Sequence, residues 1–177
     1  MFCENKGQVW VETVIYTLIG LSVIAILLSM ALPQIRKAQD RAVVEQTIEA
    51  LEVIDEKIFQ VEQSVGNVRV VDLSVSKGTF FIDSEDDSLR YVLDDTNLLL
   101  TELNQEIKRG DVLIKTFESG SKYRVVLTRP YPNLNLTFSN LEKTHVLNPG
   151  TNPYKLVIEN KEVNSVGGRI NIDFSVI

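Results

Sequence analysis

Glu12 is followed by a stretch, Thr13 to Ile35, that contains no charged side chain. A carboxylate held in an apolar phase costs a few kcal/mol, and less near a boundary with water. It therefore needs a partner or an interfacial position. No basic residue lies within the next two helical turns, but Lys6-Gly7-Gln8 stands just before it. A cut after Gly7 would create an α-amino group on Gln8, protonated at neutral pH, four residues before Glu12. In a staggered set of parallel helices, the amine of one copy can meet the carboxylate of the next. Such a pair favours one register, because either charge left buried alone is costly. The chemistry on offer is ionic registration between copies, not catalysis.

Other positions offer less. His145 is the only histidine and Cys3 the only cysteine, whereas a zinc site draws on several such ligands. Asp83, Glu85, Asp86 and Asp87 form an acidic turn without the spacing or glycine of a calcium loop, and read as a solvated hairpin tip. There is no G-x-S-x-G elbow, P-loop or dinucleotide fingerprint. The sequence points to no enzyme, no cofactor and no metal. Asn135-Leu136-Thr137 is an N-glycosylation acceptor triplet within a strand-like segment.

Two elements must position these residues. The chain has 177 residues and a net charge of −6, enough for one core-forming domain and an appendage and unsuited to nucleic acid. The apolar stretch, at about 1.5 Å per residue, is long enough to cross a bilayer. It is too long for a cleaved secretory signal, and no small-residue cleavage site follows it. Beyond it the helical period continues through Ile35, Ala38, Ala42, Ile48, Leu51, Ile58, Val61 and Val65, flanked by charged residues, as far as a stop at Gly66-Asn67. Pro33 removes one helical hydrogen bond and is expected to kink the helix nearby. Gly20, Ser22, Ala25 and Ser29 are small, which lets helix backbones approach in apolar surroundings. Trp10 suits an interfacial anchor.

From Val68 the period changes to two. Eight segments, VRVVDLSV, TFFID, SLRYVLD, DVLIKTF, KYRVVLT, NLNLTF, YKLVIEN and RINIDFSV, are separated by Gly, Pro, Asn and Ser turns. The expected fold is α+β: a long hydrophobic N-terminal helix over residues 8–65, with 13–35 as its membrane or core portion, followed by an all-β sandwich or open barrel over 67–177. Asn97 to Ile107 is read as a strand with a turn.

The combination of Lys6-Gly7-Gln8, Glu12 as the fifth residue after Gly7, and a long apolar helix resembles the archaeal type IV pilins and archaellins, which carry a class III signal peptide. Gln8 favours this archaeal branch over the bacterial pilins. The resemblance implies a leader of residues 1–7, removed by a prepilin peptidase at the cell membrane. It implies a homo-oligomeric helical filament outside the cell, built by an assembly ATPase and a membrane platform, with Glu12 paired to the Gln8 amine of a neighbour. YRVVLTRPYPNLNLTF and the Ile-rich last strand are similar, more loosely, to the heads of such proteins. By the positive-inside rule, Arg36, Lys37 and Arg41 would place the far side of the helix in the cytoplasm, opposite to the family's topology. The alternative is an uncleaved, single-pass anchor carrying an extracellular β-domain for binding or adhesion. The residues leave a pilus and an archaellum, and a major and a minor subunit, equally open.

Overall fold

The computed structural model describes residues 6–161 and 168–177, with side chains from residue 10 onward. A single helix, α1 (Lys6–Glu62), comes first. Ten strands follow among the described residues: β1 (Val68–Leu73), β2 (Thr79–Asp83), β3 (Ser88–Thr96), β4 (Glu106–Arg109), β5 (Val112–Ser119), β6 (Lys122–Pro130), β7 (Leu134–Phe138), β8 (His145–Leu147), β9 (Tyr154–Lys161) and β10 (Ile170–Val176). The chain is therefore α+β, with a long N-terminal helix and a β-rich head. It divides into two compact units, Met1–Gln39 and Asp40–Ile177.

The described residues of the first unit are helix. Every side chain from Trp10 to Gln39 is exposed. The helix continues unbroken through Pro33, although Pro33 has no N–H to offer the Ser29 carbonyl.

In the second unit the strands form two sheets, ordered β1-β9-β10-β7 and β4-β5-β6-β3-β2-β8. Period-two alternation turns one face of each strand inward. On β3, Leu89, Tyr91 and Leu93 are buried, and on β6, Val125 and Leu127. All neighbours pair antiparallel except β10 with β7, which run parallel with Asn171 beside Asn135 and Asp173 beside Thr137. The eight strand-like segments all correspond to strands. β8 was not expected, being three residues long and too short for a period to register, and β4, four residues long, begins at the end of the segment Asn97 to Ile107 that was read as a strand with a turn.

The same core includes the rear of α1. Val44, Ile48, Leu51, Ile54, Ile58 and Val61 recur at steps of three and four and are buried with residues of both sheets. Each such side chain contributes roughly 1.5–3 kcal/mol of burial. The stripe differs from the expected one at its ends. Ile35, Ala38, Ala42 and Val65 are exposed, and Val44 and Ile54 take their place. Ala42 and Val44 are two residues apart, about 200° around a helix, so only one of them can face the core.

Residues 97–102 are not a strand, contrary to expectation; the β pairing there is one bridge from Leu103 to Thr116, ahead of β4. Hydroxyls take over the backbone bonding. The Thr96 hydroxyl accepts from the Leu98 N–H at 3.0 Å. The Thr116 hydroxyl accepts from the Thr101 N–H at 3.3 Å, and the Thr101 hydroxyl from the Thr116 N–H at 3.0 Å. Buried threonines thus offer the chain an alternative to a ladder.

Candidate functional site

The site candidates lie on α1, so the first matter is what that helix shows to its surroundings. Residues 1–5 of the expected leader are outside the described residues, as are the side chains of Lys6, Gly7 and Gln8. Glu12 is exposed. Trp10 and Tyr16, on either side of it, are 74% and 66% exposed, with apolar rings and polar tips suited to a membrane boundary. From Trp10 onward the helix is long and apolar enough to cross a membrane.

Three of its hydroxyls are satisfied within the helix. The hydroxyls of Thr17, Ser22 and Ser29 donate to the carbonyls of Thr13, Leu18 and Ile26 at 2.8, 2.7 and 2.7 Å. Back-bonded in this way, they present no unpaired donor to an apolar phase. Of the small residues, Ser22, Ala25 and Ser29 fall within about 60° of one another around the helix, and Gly20 lies on the far side. A Cβ placed on Gly20 would meet nothing within 4 Å. Nothing within the chain therefore requires a glycine there, although glycine costs a helix about 1 kcal/mol relative to alanine.

Further along, the head grips α1 through two acids, one buried and one partly buried. Asp40 is 4% exposed. Its carboxylate accepts from the Thr96 hydroxyl at 2.6 Å and pairs with the Lys77 ammonium. Asp55 accepts from Arg129 Nε at 2.7 Å and from the Tyr131 hydroxyl, while the Arg129 guanidinium lies over the Tyr131 ring, 4.9 Å from its centre. At the end of the helix, the Asn160 side-chain amide on β9 donates to the carbonyls of Val61 and Glu62 at 2.8 and 3.3 Å, and the Gly66 N–H donates to the Asn160 carbonyl at 2.8 Å. The last carbonyls of a helix need such partners, and here β9 supplies them. The signal for Asp40 and Asp55 was angular: both fall on the apolar stripe, where an acid needs a cation.

Two phenols beside these acids are held protonated. The Tyr91 hydroxyl donates to the Lys77 carbonyl at 2.6 Å. Burial, reinforced by the negative charge of Asp40, pushes Tyr91 up from its ordinary 10.0 to about 12. Burial and then Asp55 push Tyr131 upward as well. The folded state thus keeps protons that the unfolded chain would release. The stability that Tyr91 contributes in this way is whole below pH ~10 and is lost as pH rises through about 12, and that of Tyr131 is lost at higher pH still. In detergent, alkaline titration is expected to show a cooperative rise of tyrosinate absorbance coincident with loss of near-ultraviolet dichroism. Tyr91→Phe and Tyr131→Phe should each remove part of that step. A gradual rise with the dichroism retained would mean that the phenols are open to water.

The remaining candidates are structural. The acidic turn is only half solvated. Glu85 and Asp86 are not buried. Asp83, however, accepts from Arg90 at 2.7 Å and from the Thr144 hydroxyl at 2.9 Å. Asp87 accepts from Arg169 at 2.5 Å and from the Leu136 N–H at 2.9 Å. These carboxylates are committed to protein donors, and no cluster suited to a metal occurs among the described residues. The His145 ring stacks on Phe138 with centroids 3.6 Å apart, and burial lowers its pKa. Asn135 is half-buried on β7, an edge strand. Its amide donates to Asn171 Oδ1 at 3.4 Å, beside an open polar cavity of about 670 Å³ lined in part by Asp87, Arg169 and Asn171.

Compared with known proteins, the chain matches no family model, no curated protein and no solved structure.

Proposed function

We propose that this chain is a structural subunit of an archaeal type IV pilus-like surface filament. In this reading it is made as a membrane-inserted precursor, cut after Gly7, and polymerised through its N-terminal helix. One observation carries the proposal: a helical segment lies bare from Trp10 to Gln39 and is uncharged from Thr13 to Ile35, ahead of a head with its own buried core. Such a segment needs lipid before assembly and other copies after it. Moving between those two surroundings gains little, because lipid is already as apolar as a neighbouring helix. Assembly therefore calls for a separate energised machine, and Glu12 supplies register through the Gln8 amine of the adjoining copy.

The test begins with the mature N-terminus. Mass spectrometry of the protein recovered from its native cells is expected to begin at Gln8. Glu12→Ala should leave processing and membrane insertion unchanged and cut filament yield at least about tenfold, the weight of one desolvated charge pair left half-made. Recovery of the chain with residues 1–7 attached would instead favour a single-pass anchor presenting the β-domain for binding. Normal filaments from Glu12→Ala would remove the carboxylate's role in register.

A further inference from the structure

The open cavity of about 670 Å³ forms where the β2–β3 turn, β7, the loop after β7 and the start of β10 come together, all within the second unit. Its volume suits a small-molecule site, but such sites are mostly apolar. Here every lining residue except Leu141 is polar. The pairing of β10 with β7 sets Asn171 beside Asn135. The Asn135 amide donates to Asn171 Oδ1 at 3.4 Å. That leaves the Asn135 side-chain oxygen and the Asn171 amide N–H groups without a protein partner among the described residues. Glu85 and Glu142 line the cavity, are exposed, and make no ion pair among the described residues. Asp87 and Arg169 line it as a pair. Ser84 also lines it and is 5% exposed, and its hydroxyl has no hydrogen-bond partner among the described residues. A buried hydroxyl left in that state is costly and calls for a further partner.

We propose that this cavity binds a neutral saccharide. Its lining sets three carboxylates, Glu85, Asp87 and Glu142, against one guanidinium, Arg169, in a chain of net charge −6. Phosphates, sulfates and acidic sugars are repelled by such a field. A neutral sugar brings the groups the lining lacks. Its hydroxyls donate to the two glutamates and to the Asn135 oxygen, and accept from the Asn171 amide. Hydroxyl bonds to a carboxylate are charge-assisted, and so stronger than those between neutral groups. Leu141, 62% exposed, offers an apolar surface to the C–H face of a sugar ring. Asn135 also heads the acceptor triplet Asn135-Leu136-Thr137, so the saccharide has two sources: a glycan of another molecule, or one linked to Asn135 itself. The chemistry that holds it is the same. Such a site serves a filament subunit and a single-pass anchor equally.

The test uses the full chain in detergent, made in bacteria that lack N-glycosylation. Glucose, galactose, mannose and N-acetylglucosamine are the probes, and glucuronate is the anionic control. Saturation-transfer NMR and calorimetry are expected to show at least one neutral sugar bound with a Kd on the order of 1 mM, and no binding of glucuronate. Glu142→Ala and Asn171→Ala should each weaken the binding about fivefold, the weight of one hydrogen bond. Glu142 is exposed, so its replacement leaves the melting temperature unchanged and carries the test alone if Asn171→Ala disturbs β10. Glu118→Ala, an exposed acid outside the cavity, should alter neither. Mass spectrometry of protein from its native cells separates the sources. If Asn135 carries a glycan and that protein no longer takes up added sugar, the cavity holds the chain's own glycan. If the native protein still takes it up, the cavity serves a glycan of another molecule. No binding of any neutral sugar to the bacterial protein, glucuronate binding as well as the neutral sugars, or binding indifferent to both cavity variants would overturn the site, whatever the outcome for filaments.

Discussion

Asp55→Ala is expected to lower the stability of the head by about 3 kcal/mol, because it strips a partly buried arginine and a buried phenol of their shared acceptor in one step. Asp55 takes the Arg129 Nε–H at 2.7 Å and the Tyr131 O–H on its two carboxylate oxygens. The Arg129 side chain is 20% exposed and Tyr131 is 6% exposed, so water cannot replace the lost acceptor fully at either. Arg129 would keep its longer contact to Asp111, at 3.6 Å, its bond to the Pro130 carbonyl at 3.2 Å and its place over the Tyr131 ring. Asp55→Asn keeps an acceptor for the phenol and loses the charge, and should cost roughly half as much. Chemical denaturation in detergent measures both. The pair joins α1 to the end of β6, so the same variants should hasten hydrogen exchange in the last turns of α1. Equal stability of Asp55→Ala and the unaltered chain would show that the head holds the helix by its apolar stripe alone.

Gly78→Ala is the second large effect, and its cause is steric. Gly78 has φ +73, and a Cβ there would stand 2.5 Å from the Tyr91 hydroxyl oxygen and 2.6 Å from the Val92 carbonyl oxygen. The left-handed backbone alone costs an L-residue about 1–2 kcal/mol, and the Val92 carbonyl belongs to the β3 ladder, where it cannot retreat. Relief must come from Tyr91, which is 1% exposed and whose hydroxyl is bonded to Lys77. The expected loss is about 3–4 kcal/mol, with disturbance reaching the neighbouring Lys77–Asp40 pair. Gly66→Ala is the control. Its φ is +81, but a Cβ there meets nothing within 4 Å, so only the same backbone penalty of about 1–2 kcal/mol applies. Thermal melts of the two variants should differ clearly. If they matched, the close approach at Gly78 would be relieved without cost.

Much of this architecture is written in local pattern. The apolar run after Glu12, the three-and-four spacing from Ile48 to Val61, and the alternation from Val68 onward are each the signature of one element. Each is legible because hydrophobic burial imposes the period of the backbone on the residue order. The bare surface of the front helix follows in the same way, since no side chain from Thr13 to Ile35 carries a charge with which to face water.

What the residue order did not disclose is which polar groups meet. Asp40 finds Thr96 and Lys77, Asp55 finds Arg129 and Tyr131, and Asn160 closes the helix from 98 and 99 residues away. Asp83 and Asp87, a solvated tip by composition, are tied down by Arg90 and Arg169. β4 and β8 exist because β5 and β2 offer them an edge. Periodicity reports which way a side chain faces, but hydrogen bonds and ion pairs depend on where two distant segments are brought together. Strand order and register settle that only when the chain has folded.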